Sequence, residues 1–342
     1  MGEAVTAESV QFVGDIGRAG PAYKKRRMGM AGARWVLAVV AALLAGPAFA
    51  QQSPMPEDLA WKLLELGRVI DPPKTAALYA PLQQKEPYSS VKVERDVKYG
   101  PAERNLLDIF TPDASSSARP VLVYVHGGGF VAGNKRNPNS PFYDNIMLWA
   151  VKNGFVGVNT TYRLAPASPW PAGAEDLAGV VQWVTKEIAA RGGDPARIYL
   201  MGQSAGAVHV AGYVSHPELH KVKGGGLAGA IMVSGLYDLT ASPAGDAELA
   251  YFGSDPSRYA ERSSVKGLVE SKIPLLITAA ELDPPRFIEQ YELVKQATCK
   301  GASGCARTFM LPQHSHMSEV YAINTEDTRL TDQILEFVKA GR

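Results

Sequence analysis

The regular alternation of short apolar runs with longer segments of helical spacing constrains the fold of this chain more than any other feature. It begins near residue 92 and continues towards the C-terminus. Several runs are apolar along their whole length, as is typical of strands covered on both faces; they are PVLVYVHGG, FVGVNTTYRL, RIYLMG, LAGAIMVSG and KIPLLITAA. Alternating strands and helices predict an α/β fold, with a mostly parallel sheet and helices on both faces.

Residues 91–342 are predicted to form one α/β domain on a mostly parallel, eight-stranded sheet. Two alternating strands, in VKVERDVKYG and NLLDIFTP, come first and predict an antiparallel hairpin. A last strand in ARTFMLPQ and an amphipathic helix in TRLTDQILEFVKAG complete the domain. Residues 51–90 hold the amphipathic stretch EDLAWKLLELGRVI, and we expect them to form a helical segment that contributes to a small lid.

Residues 1–50 have the pattern of a secretory signal peptide. A basic stretch, KKRRMGMAGAR, precedes a 12-residue apolar run from Trp35 to Gly46, and Ala48 and Ala50 then form an Ala-x-Ala site. The run is shorter than the roughly 20 residues of a membrane span, and an uncleaved N-terminal anchor is the alternative. The pattern predicts cleavage near Ala50 and export, to the periplasm or as a secreted protein, without stable membrane insertion afterwards.

Charge and cysteine content indicate which partners and crosslinks to expect. The 342 residues carry a formal net charge of +1, which gives no indication of nucleic-acid binding. Cys299 and Cys305 lie close together in CKGASGC, and such a pair is expected to form a disulfide in an oxidising compartment. Two free thiols are the alternative. Because no further zinc ligands lie nearby at the usual spacing, the sequence predicts no metal site.

The stretch IYLMGQSAGAVHV places a serine between glycines where an apolar strand runs into a helical pattern. Gly202 to Gly206 match G-x-S-x-G, a motif that holds a serine hydroxyl at the apex of a sharp strand-to-helix turn. Small residues also gather at ordinary turns, so a simple tight turn is the alternative. The position of the motif between a strand and a helix favours Ser204 as a nucleophile.

A second glycine cluster, His126 to Phe130, follows the strand VLVYV. Adjacent glycines allow backbone N–H groups to approach a developing oxyanion closely. We predict that the N–H groups of Gly128, Gly129 and Ala205 form an oxyanion hole, and that His126 supports the loop by hydrogen bonding. A phosphate-binding loop is disfavoured because the glycines are adjacent and no Gly-Lys-Ser/Thr follows.

A nucleophilic serine needs a base, and the base needs a carboxylate that orients it. The expected order along the chain is serine, acid, histidine. After the strand LLITAA the sequence offers Glu281 and Asp283, and Asp283 is favoured because it lies in the turn before a helix. Asp238, in SGLYDL, is a further alternative that more naturally fixes its own loop.

The loop after the last strand, in MLPQHSHMSEV, offers two histidines as the base. They are two residues apart, so both could face the site from an extended loop. His316 is favoured and His314 is the alternative. The remaining histidines on or after the nucleophile helix are expected to be packing or surface residues; they are His209, His216 and His220.

Together these motifs resemble the α/β-hydrolase superfamily, and within it the HGGG-containing carboxylesterases of the hormone-sensitive-lipase-like and kynurenine-formamidase-like branch. The resemblance runs from about Val91 to Lys339 and rests on VHGGGF, YRLAP, DPARIYLMGQSAGA, SGLYDL, AELDPPRF and HSHMSEV. It implies an α/β-hydrolase fold, with Asp283 and His316 at the acid and base positions. Larger relatives carry a longer helical lid, so the resemblance does not extend to a preference for long acyl chains.

The predicted activity is hydrolysis of small carboxylic esters, with short-to-medium acyl chains or aryl groups, through an acyl-enzyme intermediate and without a cofactor. Four aromatic residues are candidates for the substrate pocket, with a place in the core as the alternative for each: Phe130, Tyr143, Trp170 and Phe252. A C–N hydrolase of the arylformamidase, amidase or carbamate type is the alternative, because the same triad permits it. A non-catalytic binding protein on this scaffold is disfavoured, because a serine, an acid and a histidine are all present.

Overall fold

The computed structural model describes residues 55–113, 118–301 and 304–341. The predicted signal peptide lies outside these residues, so cleavage near Ala50 stays a prediction. None of the helices in the described ranges combines the length and the apolar character that a membrane span requires.

One sheet contains eight strands, which are β1 (Val91–Lys98), β2 (Leu106–Pro112), β3 (Arg119–Val125), β4 (Val156–Thr160), β5 (Gly193–Gln203), β6 (Gly229–Val233), β7 (Leu275–Leu282) and β8 (Arg307–Ser315). Their order across the sheet is β1-β2-β4-β3-β5-β6-β7-β8. The pairs β1–β2 and β2–β4 are antiparallel, and the other pairs are parallel. The predicted mostly parallel sheet that begins with a hairpin is therefore confirmed.

Helices cover both faces of this sheet. They are α1 (Glu57–Leu66), α2 (Pro72–Tyr79), α3 (Asp144–Lys152), α4 (Ala172–Glu187), α5 (Ala205–Ser215), α6 (Asp246–Phe252), α7 (Tyr259–Arg262), α8 (Val265–Glu270), α9 (Pro285–Thr298), α10 (Ser318–Tyr321) and α11 (Arg329–Lys339). Those between parallel strands form the crossover connections that a parallel sheet requires.

The central strand β3 explains why the parallel strands read as continuous apolar runs. Successive side chains of a strand point to opposite faces. Leu122 and Tyr124 pack into a core with residues of α3 and α11. Val121 and Val123 pack into a second core with residues of α4 and α5. Since both faces are buried, neither set of positions tolerates polar side chains.

The N-terminal helices α1 and α2 pack near the carboxyl ends of the last strands. Helix α1 contacts β8, and α2 contacts α10. In the segment between them, the guanidinium of Arg68 donates hydrogen bonds to the backbone carbonyls of Glu281 and Asp283, at 2.6 and 3.2 Å. This segment is thus attached to the loop that carries the predicted acid. Its role as part of a lid stays a prediction.

Cys299 and Cys305 form a disulfide, and their Cα atoms are 3.9 Å apart. The bridge closes a short loop between the end of α9 and the start of β8. Free cysteines are absent from the described part of the chain.

Candidate active site

Ser204 lies at a sharp turn between β5 and α5. Its backbone has φ 56° and ψ −124°, a conformation that non-glycine residues rarely adopt and that is typical of functional turns. Added Cβ atoms would overlap backbone at both neighbouring glycines: at Gly202 with the carbonyl of Gly206, and at Gly206 with the carbonyl of Val125. The glycines of the motif are therefore required by close packing of the helix on the strands.

The loop after β3 places consecutive backbone amides beside this serine. Gly128 and Gly129 have φ of 124° and 58°. A Cβ on Gly128 would overlap the carbonyl of Ala132, so the loop path requires a glycine there. Gly128, Gly129 and Ala205 line the same cavity as Ser204. The amide of Ala205 also belongs to the first turn of α5, where backbone N–H groups are free of helical partners.

His126 stabilises this glycine loop through contacts with its backbone. Its Nδ1 lies 2.6 Å from the carbonyl oxygen of Gly127, and the hydroxyl of Tyr162 donates to the carbonyl of His126 at 2.9 Å. Burial lowers the pKa of His126 to about 3, because a charged imidazolium would lose its hydration. A neutral imidazole in this position agrees with the expected supporting role.

Asp283 is fully buried after β7 and accepts three hydrogen bonds. Its Oδ1 lies 2.7 Å from Nδ1 of His316. Its Oδ2 accepts from the hydroxyl of Ser234 at 2.6 Å and from the N–H of Ala280 at 2.8 Å. Three donors match the acceptor capacity of an ionised carboxylate. The structure therefore brings the predicted acid and base into direct contact.

The second ring nitrogen of His316 is unpaired. Nε2 is buried and has no hydrogen-bond partner in the described part of the chain. His316 and Ser204 line one cavity, and the ring of Phe287 packs 4.4 Å from the imidazole, centroid to centroid. With Nδ1 donating to Asp283, Nε2 carries a lone pair that can accept the proton of a hydroxyl.

The two alternative acids have other partners. Glu281 is exposed and accepts a hydrogen bond from the N–H of Gln313 at 2.7 Å, which ties β7 to β8. Asp238 accepts from the N–H and the hydroxyl of Thr240 at 2.8 and 2.6 Å, within its own loop. Neither contact involves a histidine.

The alternative base, His314, uses both ring nitrogens elsewhere. Nδ1 lies 2.9 Å from the hydroxyl of Ser318, and Nε2 lies 3.0 Å from Oδ2 of Asp327. Burial lowers the pKa of His314, and Asp327 opposes that shift. The side chain of Arg329 also contacts Asp327. His314 therefore anchors the loop that carries His316.

A cavity of about 580 Å³ opens above Ser204, a size that suits a small ligand. Two of the four candidate pocket aromatics, Phe130 and Tyr143, line it. Trp170 and Phe252 do not belong to its lining within the described ranges. They pack in an apolar cluster with Phe130, whose ring centroid lies 5.4 Å from that of Phe252. Both aromatics therefore pack into the apolar core, and of these three residues Phe130 is the one that lines the cavity.

Several lining residues were not predicted. The apolar and aromatic ones are Ile70, Pro72, Val208, Leu236, Ala247, Phe287, Met317 and Tyr321. Val208 lies four residues after Ser204 on α5, so helical spacing could have identified it. A charged pair, Arg286 and Glu248, also lines the cavity, and its nitrogen and oxygen atoms are 2.8 Å apart. Because the two residues are 38 positions apart in the chain, no local sequence pattern could have predicted that they form a pair.

Asp283, His316 and Glu319 form a buried group whose potential metal-ligating atoms all lie within 4.8 Å of one another. The hydrogen bond between His316 and Asp283 already uses a ring nitrogen and a carboxylate oxygen. The donor set therefore fits proton transfer, with Glu319 as an additional carboxyl group. That the protein needs no metal or cofactor stays a prediction.

Comparison with known proteins finds relatives that share part of this chain. A family model described as BD-FAE matches residues 107–222, which include the glycine loop and the serine turn. Tuliposide A-converting enzyme b1 of Tulipa gesneriana is 37% identical over 150 residues, 41% of this chain and 38% of that protein. Esterase LipQ of Mycobacterium tuberculosis is 40% identical over 119 residues, 34% of this chain and 27% of that protein. The chain thus spans less than two fifths of the length of these relatives.

A solved structure agrees with the fold over most of the chain. Esterase B from Lactobacillus rhamnosis superimposes with a TM-score of 0.65, at 16% sequence identity, over 83% of this chain and 95% of that one. The predicted fold class is confirmed by this likeness and by the strand order. Together with the residues matched by the family model, these findings agree with the resemblance noted from the motifs: the chain has an α/β-hydrolase fold, and part of its length is similar to esterases.

Proposed function

We propose that this protein is a serine hydrolase that cleaves carboxylic esters through an acyl-enzyme intermediate. One observation carries the proposal. His316 binds Asp283 through Nδ1 and presents an unpaired Nε2 in the wall of the cavity that also contains Ser204. This is the arrangement in which an imidazole can activate a serine hydroxyl.

In the acylation step, the Oγ of Ser204 attacks the ester carbonyl carbon while His316 Nε2 takes the hydroxyl proton. The carbonyl oxygen becomes an oxyanion, which the N–H groups of Gly128, Gly129 and Ala205 stabilise. Collapse of the tetrahedral intermediate breaks the bond to the alcohol oxygen. The departing alkoxide receives the proton from His316, and an ester of Ser204 remains.

In the deacylation step, a water molecule attacks the acyl carbon and gives a proton to His316 Nε2. The second tetrahedral intermediate expels Oγ of Ser204, which recovers the proton, and the carboxylic acid leaves. Asp283 stays ionised throughout and stabilises the imidazolium that forms twice per turnover. Acylation uses only the ester and groups of this chain, and deacylation adds one water molecule.

Small esters, with short-to-medium acyl chains or aryl groups, are the proposed substrates. A cavity of about 580 Å³ with apolar walls can enclose such a ligand. A panel of p-nitrophenyl esters of increasing acyl length tests this, with the highest kcat/KM expected for the shorter chains. Comparison of p-nitrophenyl acetate with N-formylkynurenine tests the C–N hydrolase alternative, which predicts preferential turnover of the formamide.

Replacement of the nucleophile tests the mechanism itself. Ser204→Ala is expected to lower kcat by ~10⁴ or more while the fold is retained. A fluorophosphonate probe should label the wild-type protein at Ser204 and leave the variant unlabelled. Hydrolysis at the wild-type rate by the variant would contradict the proposal, and absence of labelling of the wild type would favour a non-catalytic binding protein.

We also propose that the protein is exported after cleavage near Ala50. The disulfide between Cys299 and Cys305 supports this, because such bonds persist in oxidising compartments. Expression of the full chain in a Gram-negative host, followed by N-terminal sequencing of the extracytoplasmic protein, is expected to give a start at Gln51. A protein that keeps residues 1–50 and sediments with membranes would indicate an uncleaved anchor.

A further inference from the structure

Glu319 is a buried carboxyl group that the proposed mechanism does not use. It lies three residues after His316, in α10, and is 1% exposed. Neither of its carboxyl oxygens has a hydrogen-bond partner in the described part of the chain. Its side chain and those of Asp283 and His316 approach within 4.8 Å. An ionised carboxylate left without donors at such a place would be strongly destabilising.

The hydrogen bonds decide which of the two buried acids holds the negative charge. Asp283 receives three donors, from His316, Ser234 and Ala280. Glu319 makes no hydrogen bond of comparable geometry to a described residue, although the nearby side chains of Ser234 and Gln203 lower its pKa. Two buried carboxyl groups this close do not both ionise. Burial first, and the charge of Asp283 second, raise the pKa of Glu319 well above its usual value. The proton therefore belongs to Glu319.

Gln203 supplies the acceptor that a protonated Glu319 needs. Its Nε2 donates to the backbone carbonyl of His316 at 2.7 Å, whereas its Oε1 is buried without a partner among the described residues. Gln203 and Ser234 are uncharged polar side chains near Glu319; both lower its pKa, but by less than burial and Asp283 raise it. Two acceptors cannot bond to each other, but a proton on Glu319 turns one of them into a donor.

The other ionisable side chains around Glu319 do not change the conclusion that Glu319 is protonated. Asp283 follows β7 and His316 follows β8, while Tyr124 approaches from β3 and Tyr237 from the loop after β6. Burial raises the pKa of both tyrosines, so they remain neutral. The permanent charge that acts on Glu319 is thus the negative charge of Asp283.

We propose that Glu319 is a positioning residue: a protonated carboxyl group that donates to Oε1 of Gln203 and thereby holds the backbone of His316 against the turn of Ser204. Gln203 directly precedes the nucleophile and bonds to the residue that carries the base. The hydrogen bond from Glu319 fixes the orientation of that amide. This inference rests on the proposed function, because it assigns a role in aligning the base with the nucleophile.

Variants at positions 319 and 203 test the role in catalysis. Glu319→Leu removes the donor and should lower kcat by about 30-fold with KM little changed, whereas Glu319→Gln keeps a donor and should recover activity to within about threefold of wild type. Gln203→Leu removes the bond from Glu319 and also the bond to the carbonyl of His316, so it should lower kcat at least as much as Glu319→Leu. The double variant should be no worse than Gln203→Leu, because Glu319 acts through Gln203.

Three results with these variants and with the wild type would overturn the proposed role of Glu319. Glu319→Gln as inactive as Asp283→Asn would mean that a charge at position 319 is required. Wild-type kcat in Glu319→Leu would remove the positioning role. Loss of activity on treatment with a chelator would assign the three residues to a metal ion instead. If the leucine variant does not fold, Glu319→Gln and Gln203→Leu carry the test.

A thermal measurement tests the protonation without reference to activity. Above the ordinary pKa of glutamate, the unfolded chain releases a proton that folded Glu319 keeps, so wild-type stability falls with rising pH at this position. The Tm of Glu319→Gln minus that of wild type should therefore rise between about pH 5 and 8. A constant difference would overturn the assignment of the proton. If the wild type neither hydrolyses esters nor reacts with a fluorophosphonate, the proposed function fails, and this measurement still decides the protonation.

Discussion

The Nδ1 atom of His316 lies 2.7 Å from Oδ1 of Asp283, and both side chains are buried completely. A buried imidazole whose Nδ1 donates to a carboxylate has one available tautomer, in which Nε2 accepts a proton. The carboxylate is itself held by Ser234 and Ala280, so that the ring has little freedom to rotate. The contact therefore fixes the orientation and the tautomer of the base before a substrate arrives.

This contact predicts unequal effects for two acids on the same loop. Asp283→Asn should lower kcat by ~10⁴, because an amide stabilises the wrong tautomer and no longer compensates the imidazolium. Glu281→Gln is the matched control, since Glu281 is exposed and accepts a bond from a backbone N–H. We expect it to keep kcat for p-nitrophenyl acetate near the wild-type value. Equal losses in the two variants would show that the acid has been misassigned.

The two glycines of the oxyanion loop should differ in their tolerance of alanine. At Gly128 a Cβ would overlap the carbonyl of Ala132, and φ is 124°, a region that alanine avoids. At Gly129 φ is 58°, and the nearest atom to an added Cβ is 3.5 Å away, on Ala247.

We therefore expect Gly128→Ala to lower kcat by ~10²–10³, because displaced backbone N–H groups no longer reach the oxyanion. Gly129→Ala, which adds the same methyl group in an open position, should cost less in both kcat and Tm. Steady-state kinetics and thermal unfolding of the two variants provide the measurement. A greater loss for the alanine at position 129 would mean that this loop is arranged differently.

The location of the site could be predicted from the sequence because of how parallel sheets are built. Ser204 follows β5, Asp283 follows β7 and His316 follows β8. Strands that run in parallel bring their carboxyl ends to one edge, so residues far apart in the chain converge there. The glycine loop after β3 reaches the same edge. An apolar run that ends in an unusual polar or glycine cluster therefore predicts the position of the active site from the sequence alone.

The sequence could not decide between neighbouring candidates for one role, because the answer depends on contacts with residues that are distant in the chain. Position alone could not separate His314 from His316, because in an extended loop both can face the site. The structure separates them through Asp327, which takes one ring nitrogen of His314. Likewise, Trp170 and Phe252 are aromatic like many pocket residues, but they pack with the cluster that contains Phe130 and do not line the cavity in the described ranges. Whether an aromatic side chain lines a cavity or packs in the core depends on the tertiary structure and cannot be read from the neighbouring sequence.

His209 is predicted to make the protein sensitive to acid. Its ring is enclosed by Phe130, Tyr162 and Tyr251, and neither ring nitrogen has a hydrogen-bond partner in the described ranges. Burial lowers its pKa to about 3. Between about pH 6.5, the ordinary pKa of histidine, and about pH 3, the unfolded chain binds a proton that the folded protein does not. Stability should therefore fall as the pH decreases through this interval.

His209→Leu removes the titrating ring and keeps an apolar side chain in the aromatic surroundings. The free energy of unfolding, measured by urea titration at several pH values, should then depend less steeply on pH, by up to about 1.4 kcal/mol per pH unit. His126 shares the same shift, so part of the acid sensitivity should remain. An unchanged slope in the variant would show that His209 can be protonated in the folded state.

The disulfide is predicted to contribute to stability and not to catalysis. Cys299 and Cys305 enclose a short loop, and the loss of such a crosslink costs about 2 kcal/mol through the entropy of the unfolded chain. Cys305 lines a cavity different from the one that contains Ser204. The double variant Cys299→Ser/Cys305→Ser should therefore lower Tm by several degrees and leave kcat and KM for p-nitrophenyl acetate unchanged.

Wild-type protein treated with a reductant is the matched control and should show the same Tm as the double variant. A reductant-insensitive Tm together with two alkylatable thiols would indicate that the bridge does not form in solution.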